Sequence, residues 1–234
     1  MKCNILNVEG KIEYSTGLML QKSALYNIKN NEAYDTLILL RHTPTITLGY
    51  FAKNRNVLAP NNVLVKRGIQ VHRTDRGGDV TYHGPGQLIC YPIIDVHRKQ
   101  LQEYKSKLCR SLIDLLQKYN ITAEEGHKKL SGLWVGDKKI AAIGYALKKI
   151  KVQEKTKAIT MHGFALYVLD EMENFNYINP CGMPEIKLTN MEQILETQID
   201  FKELKNNYIK AFAKVFDYEI NGNCSKSCGN LLLC

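Results

Sequence analysis

Residues 76–87 read RGGDVTYHGPGQ and lie between two strand-like runs. Four glycines and one proline in twelve residues predict a loop whose backbone takes unusual angles. Glycines also let a ligand approach the main chain, where several N–H groups can face it. Arg76, His83 and Gln87 add a cation, a titratable ring and an amide. The stretch lacks the Gly-Lys-Ser/Thr ending of a phosphate loop and the Gly-x-Gly-x-x-Gly spacing of a dinucleotide site. Alone, it fits either a ligand-binding loop or a structural turn.

Strands and helices alternate irregularly on both sides of this loop. Upstream, the sequence predicts strands at 3–8, 36–40 and 45–48 and a helix at 14–30. Downstream, it predicts a buried strand at 87–96, strands at 139–147 and 160–169, and two helices. The first helix carries an apolar stripe from Leu101 to Tyr119, and the second begins after Asp200. This order predicts an α+β fold with a mixed β-sheet flanked by helices.

The bulk composition is that of an ordinary globular protein. The chain has 234 residues, of which 44% are hydrophobic and 24% charged, with no internal repeat and no linker-like stretch. We therefore expect one domain over residues 1–220. Residues 221–234 lose the periodic pattern and predict a flexible tail that carries Cys224, Cys228 and Cys234.

The charge balance, 32 basic against 23 acidic residues, gives a formal net charge of +9. Such a surface attracts acidic partners by long-range steering. Nucleic acid is disfavoured because there is no zinc finger, RNP-like motif or dense Lys/Arg run. We expect no membrane association, since no apolar run reaches the ~18–20 residues that span a bilayer. The N-terminus has no apolar signal segment, so we expect a cytoplasmic protein with reduced thiols. We also expect a monomer without a metal site.

Among the seven cysteines, Cys181 has the setting of a nucleophile. It lies between Pro180 and Gly182, on a rigid turn whose N–H groups can stabilise a thiolate and later an oxyanion. By contrast, Cys90 in a buried strand and Cys109 on a helix resemble small core hydrophobes. The setting of Cys181 indicates a reactive thiol without establishing one.

Two further segments place polar residues in apolar surroundings. Residues 138–144 read KKIAAIG, and a lysine at such a strand end can act as a base, although most lone lysines there are simply solvated. Residues 160–166 read TMHGFAL, where His162 is either a pocket residue or a hydrogen-bonded core histidine. Each segment alone leaves both interpretations open.

In their order along the chain, these segments resemble the octanoyltransferase family, also called lipoate-protein ligase B. The resemblance covers residues 39–181 and also includes the run from Gly132 to Val135 with Trp134. Two departures are visible. Tyr167 stands where the family carries asparagine, and the lysine-rich stretch Lys148 to Lys157 is longer than the usual hairpin, which we interpret as an extended surface loop.

The resemblance implies a fold like the catalytic domains of biotin and lipoate ligases, with residues 1–220 as the octanoyltransferase domain. It implies a catalytic dyad of Cys181 and Lys139, the latter rather than Lys138. It also implies a substrate pocket formed by Arg76, Gly77, Gly78, Thr81, Tyr82, His83, Gly84, Gln87, Ala142, Ile143, Gly144, His162, Gly163 and Ala165.

The implied reaction moves an octanoyl group from the phosphopantetheine arm of acyl carrier protein onto Cys181. From there it passes to a lysine of a lipoyl domain, as the first step of protein lipoylation. The implied acceptors are the E2 subunits of 2-oxoacid dehydrogenases and the glycine cleavage H protein. No ATP, metal or other cofactor is implied, and a eukaryotic member would lie in a mitochondrion or plastid.

Two other functions remain as alternatives. An ATP-dependent lipoate-protein ligase shares the fold but lacks the Pro-Cys-Gly nucleophile, so Cys181 argues against it. A non-catalytic acyl- or lipoyl-binding module would keep the Gly-rich pocket but could lose Lys139 or Cys181, and both are present.

Overall fold

The computed structural model describes residues 1–96, 101–126, 131–152, 155–169 and 171–226. The helices are Tyr14–Lys29 (α1), Asn61–Lys66 (α2), Leu101–Gln117 (α3), Met191–Leu195 (α4) and Phe201–Phe216 (α5). The strands are Lys2–Val8 (β1), Asp35–Leu40 (β2), Thr45–Leu48 (β3), Gln70–Arg73 (β4), Val80–His83 (β5), Gln87–Ile93 (β6), Glu124–Glu125 (β7), Leu133–Val135 (β8), Lys138–Val152 (β9), Lys155–Tyr167 (β10), Lys187–Leu188 (β11) and Glu219–Lys226 (β12). The three long predicted helices are confirmed, and Asp200 caps α5 by accepting a bond from the Lys202 N–H at 2.7 Å.

Most of the strands form one mixed sheet in the order β12-β1-β2-β6-β10-β9-β8-β7, with β11 paired to β9. β1 runs parallel to both β12 and β2, whereas the pairs from β2 to β7 along this order are antiparallel. A second sheet has the order β4-β3-β5. Mixed sheets flanked by helices confirm the predicted α+β fold class.

Side-chain alternation along the central strands divides the core between the two faces of the large sheet. On β2, Leu37 and Leu39 join the core built with α3 and α5, while Ile38 and Leu40 join the core built with α1 and the small sheet. All four are fully buried. The large sheet is therefore covered by helices on one face and by α1 with the small sheet on the other.

Helix α1 buries Tyr14, Gly17, Gln21, Ala24 and Ile28, whereas Leu18 and Leu25 are only half-buried. The ring of His42 lies against Gly17, which leaves no space for a larger side chain. This close packing brings α1 near the small sheet.

Three sequence predictions need correction. Residues 148–152 and 155–157, predicted as a surface loop, extend the β9–β10 hairpin, because Ile150 and Val152 alternate with exposed lysines as in a strand. Residues 221–226, predicted as flexible tail, form the end of β12 and pair with β1. Residues 80–83, within the predicted Gly-rich loop, form β5. Cys228, Cys234 and the loop positions 153–154 lie outside the described residues.

A buried lysine on α5 makes the stability of the fold depend on pH. Lys205 is 5% exposed, and its Nζ donates to Asn7 Oδ1 at 2.7 Å and to the Val8 carbonyl at 2.8 Å. Burial, together with the charge of Arg41, lowers the pKa of Lys205 to about 8. Between that value and the unfolded pKa of about 10.4, the unfolded chain binds more protons, so the free energy of unfolding rises with pH.

We expect Lys205→Met to remove this rise. Urea denaturation from pH 7 to 10.5 would show the free-energy difference between wild type and variant growing with pH, by up to about 3 kcal/mol. Lys202→Met, at an exposed position of the same helix, should leave the profile parallel to wild type. A parallel profile for Lys205→Met would show that this lysine titrates normally.

Candidate active site

A cavity of about 130 Å³ lies between the small sheet, strands β9 and β10, and the turn at Cys181. Of the residues predicted to form the site, those that line it are Arg76, Gly77, Gly78, Thr81, His83, Lys139, Ala142, Ile143, Gly144, His162, Gly163, Ala165 and Cys181. Segments far apart in sequence thus meet at one place. The roles that these residues play toward a substrate remain predictions.

At one end of the cavity, Lys139 and Cys181 are in direct contact. The Lys139 Nζ donates to Cys181 Sγ at 3.2 Å and to the Ser131 carbonyl at 2.5 Å. Lys139 is 1% exposed, and its Nζ lies 5.9 Å from the centre of the Trp134 ring. A buried lysine amine held against a half-buried thiol is an arrangement suited to stabilising a thiolate.

Local backbone geometry holds each member of this pair. Lys139 lies near the start of β9, paired with Trp134 of β8 on one side and Leu188 of β11 on the other. Gly132 has a φ of 124°, and a Cβ there would stand 2.2 Å from the Ala141 carbonyl and 2.6 Å from the Lys139 Cε. Cys181 itself has a φ of 58°, in the left-handed region that few non-glycine residues adopt.

Asn56 connects the Cys181 turn with the Gly-rich loop. Its Nδ2 donates to Asp79 Oδ2 at 2.9 Å, and its carbonyl accepts from the Asn179 N–H at 2.8 Å. Asn56 is buried, so these bonds are shielded from water. Asn56 is not among the predicted site residues, since nothing in its local sequence distinguishes it from a surface loop residue.

Arg76 lines the cavity, and its guanidinium also holds the Gly-rich loop together. Its guanidinium donates to the carbonyls of Thr47, Gly77 and Asp79, at 2.7, 3.0 and 2.8 Å, and to the Thr47 hydroxyl. Burial lowers the pKa of Arg76, and the nearby Tyr14 and Cys181 oppose that shift. Arginine stays protonated in proteins, so the loop places a fixed positive charge beside the cavity.

His83 lines the cavity. Three other residues predicted for the pocket are not among its described lining residues: Tyr82, Gly84 and Gln87. Alternation along β5 turns Tyr82 away from Thr81 and His83, and its hydroxyl accepts a bond from Asn174 instead. The Gln87 Nε2 donates to the Tyr82 carbonyl, and its Oε1 lies 3.4 Å from His83 Nδ1. Burial, reinforced by His42 and Arg76, lowers the pKa of His83 well below its usual value, so its ring is neutral.

Two side chains hold His162 in place, Gln21 of α1 and Asp75. Its backbone N–H donates to Gln21 Oε1 of α1 at 2.7 Å, and its φ is 58° although it lies within β10. Its Nε2 lies 2.8 Å from Asp75 Oδ1, and Asp75 also pairs with Lys148. Burial opposes ionisation of Asp75, but the bonds with Lys148 and His162 outweigh it and lower its pKa to about 2.

Several cavity residues were not predicted. They are Tyr14, Asp79, Val80, Tyr91, Ser131 and Phe164. Tyr14 lies on the buried face of α1, and its polar hydroxyl is the one feature in the sequence that could have indicated a role in the site. Tyr167, the departure from the family pattern, is fully buried and packs edge-on against Phe175 with centroids 5.2 Å apart, outside the described cavity wall.

No group of His, Cys, Asp and Glu that could hold a metal ion occurs in the described ranges. In that same part of the chain, no helix is long and apolar enough to cross a membrane.

Comparison with known proteins identifies the class of this fold and site. Residues 13–213 match the family described as the lipoyl protein ligase A/B catalytic domain. A lipoate-protein ligase A bound with ATP superposes with a TM-score of 0.76 at 16% identity, covering 97% of this chain and 90% of that one. A lipoate protein ligase from Thermoplasma acidophilum, described with its E2 lipoyl domain, gives 0.75 at 16% identity, covering 97% and 88%. At these identities the likeness concerns the fold.

Sequence relatives are more specific. A protein of Alkaliphilus metalliredigens named Octanoyltransferase is 39% identical over 223 residues, covering 94% of this chain and 98% of the relative. Octanoyltransferase LIP2, mitochondrial, of Arabidopsis thaliana is 36% identical over 213 residues, covering 90% and 87%. The chain belongs to the octanoyltransferase family, as its sequence motifs predict.

The contact between Asp75 and His162 predicts opposite effects of two substitutions. Burial lowers the pKa of His162, the Asp75 carboxylate partly opposes this shift, and Lys148 adds to it. We therefore expect Asp75→Asn to lower the pKa of the His162 ring further and Lys148→Met to raise it. NMR titration of the imidazole resonances measures both, and shifts in the same direction would contradict the assigned contacts.

Proposed function

We propose that this enzyme transfers an octanoyl group from acyl carrier protein to a lysine of a lipoyl domain through a thioester on Cys181. The observation that carries the proposal is the 3.2 Å contact from Lys139 Nζ to Cys181 Sγ in a buried setting. The membership of the octanoyltransferase family and the names of its relatives support the acyl group and the reaction type.

In the first half-reaction, the Cys181 thiolate attacks the carbonyl carbon of the carrier's octanoyl thioester. A carbon–sulfur bond to Cys181 forms as the bond to the pantetheine sulfur breaks, and that sulfur leaves as a thiol after taking a proton. The Lys139 ammonium stabilises the attacking thiolate and is placed to move that proton. Exchange of one thioester for another is nearly balanced in free energy.

In the second half-reaction, the uncharged amine of the acceptor lysine attacks the same carbonyl. An amide bond forms, the bond to Cys181 breaks, and the proton lost by the amine returns to the thiolate through Lys139. Formation of an amide from a thioester is strongly downhill, so this step drives the reaction. The oxyanion of both half-reactions would be stabilised by backbone N–H groups near Cys181 other than those of Gly77, Gly182 and Met183, which already donate to backbone carbonyls.

The donor thioester is already activated, so the proposed reaction uses no ATP. The sequence lacks a phosphate loop, which agrees with this proposal. The ligase alternative receives less support, because the similarity to an ATP-bound ligase is one of fold at 16% identity. A non-catalytic binding module would not need Lys139 buried against Cys181.

The proposed protein partners are acyl carrier protein as donor, and E2 lipoyl domains and glycine cleavage H protein as acceptors. The T. acidophilum ligase of the same fold is described together with an E2 lipoyl domain. The net charge of +9 would attract acidic partners of this kind.

We expect intact-protein mass spectrometry to detect a hydroxylamine-labile octanoyl adduct after wild type is mixed with octanoyl-acyl carrier protein. Adding a lipoyl domain without ATP should discharge it. Cys181→Ser should form no labile adduct, and Lys139→Met should slow adduct formation by about 100-fold or more, because it loses both the charge and the proton carrier.

The matched control is Cys224→Ser, which removes an exposed cysteine on β12 and should acylate like wild type. Octanoyl transfer that appears only with free octanoic acid and ATP would favour the ligase. A labile adduct on Cys181→Ser would assign the nucleophile to another cysteine.

A further inference from the structure

A wide groove opens on the outer side of the Lys139–Cys181 pair. Its volume is about 1010 Å³, and one wall is the chain after Cys181, from Gly182 to Lys187. The other wall is the edge of the large sheet, including Trp134 on β8 and Glu124 on β7. This groove is separate from the inner cavity, because the two share no lining residue.

The reacting pair lies on the boundary between the cavity and the groove. Cys181 lines the cavity, and the next residue, Gly182, lines the groove. Lys139 lines the cavity, and Trp134, its strand neighbour, lines the groove. The lining of the groove therefore begins at the residues next to the reacting pair.

The groove is apolar along its walls and acidic at its rim. Trp134, Met183, Pro184 and Ile186 supply apolar surface. Among the described residues that line the groove, the charged ones are four carboxylates, Glu124, Glu125, Asp137 and Glu185, and one lysine, Lys187, with a formal charge of −3. These residues thus carry a charge opposite in sign to the +9 of the whole chain.

The two outermost carboxylates are available to a partner. Asp137 pairs with Lys187 at 2.6 Å and Glu125 pairs with Lys105 at 2.7 Å. Glu124 and Glu185 are exposed and form no ion pair within the described ranges. They stand on opposite walls of the groove, so a cation entering between them would meet a carboxylate on each side.

We propose that this groove binds the segment of the acceptor domain that carries the target lysine; the inference rests on the proposed function. A lysine side chain has an apolar stem and a cationic tip, which match the apolar walls and the acidic rim. Approach of a cation to a protein of charge +9 is otherwise unfavourable. The donor arm, which carries a phosphate, would be repelled by the same carboxylates, so the groove discriminates between the two substrates by charge.

The test separates the two half-reactions in the Glu124→Gln/Glu185→Gln double variant. Acyl-enzyme is prepared with octanoyl-acyl carrier protein, freed of donor, and mixed with increasing lipoyl domain. We expect the second-order rate of discharge to fall about 10-fold at low ionic strength and to approach wild type at high salt. Formation of the acyl-enzyme and its discharge by hydroxylamine, which is uncharged at neutral pH, should keep wild-type rates.

The matched control is Glu32→Gln/Glu219→Gln, which removes the same charge from exposed positions outside the groove and should discharge like wild type. An unchanged rate of discharge in the groove variant would overturn the proposal. Slower acylation with unchanged discharge would assign the groove to the donor and overturn it as well.

Binding of the lipoyl domain to the Cys181→Ser chain, with and without the two groove substitutions, provides a readout that needs no acylation. The groove substitutions should weaken this binding, and replacing the acceptor lysine by methionine should remove the difference. If wild type forms no acyl-enzyme, the proposed function fails, and this binding measurement still decides the occupant of the groove.

Discussion

The guanidinium of Arg76 joins the backbone of β3 to the Gly-rich loop inside the protein, through the carbonyls of Thr47, Gly77 and Asp79. A buried cation is costly unless its donors are satisfied, so moving any of these carbonyls would leave part of the charge unpaired. Asp79 in turn accepts from Asn56, whose carbonyl holds Asn179, two residues before Cys181. The position of the thiol therefore depends on a cation in the Gly-rich loop, and the hydrogen bonds between them transmit that constraint.

Burial in the same interior determines which ionisable groups around the cavity are charged. Burial lowers the pKa values of His42, His83 and His162, so the histidines around the cavity are neutral at neutral pH. Arg76 stays protonated, and Asp75 is paired with Lys148 and His162. A buried guanidinium beside neutral rings favours negative charge, which the proposed mechanism places on the Cys181 sulfur and then on an oxyanion. The charge of Arg76 lies at the cavity that Cys181 lines, and the acidic groove begins at the next residue, Gly182.

The sequence predicts most of what depends on periodicity and little of what depends on contact between distant segments. The continuous apolar runs of β2 and β6 and the apolar stripe of α3 are local patterns, and the structure confirms those elements. The lysine-rich stretch 148–157 also contains a local pattern, the alternation of a strand. Ile150 and Val152 alternate there with lysines in a hairpin, and the number of lysines led to the wrong prediction of a loop. Asn56 could not be predicted in this way, because its partners are Asp79 and Asn179, which only the fold brings near it.

The fold by itself does not select between acyl transfer and ATP-dependent ligation, since a ligase bound with ATP shares it at 16% identity. What differs between the two reactions is the source of activation: a ligase makes a reactive acyl group, whereas a transferase receives one and must hold it. To hold the acyl group, a transferase needs a nucleophile that both substrates can reach and a basic group fixed beside that nucleophile. Cys181 meets the first requirement on its left-handed turn between cavity and groove, and Lys139 meets the second because Ser131, Trp134 and β11 enclose it. The buried contact between them is therefore the feature of this chain on which the proposed acyl transfer depends.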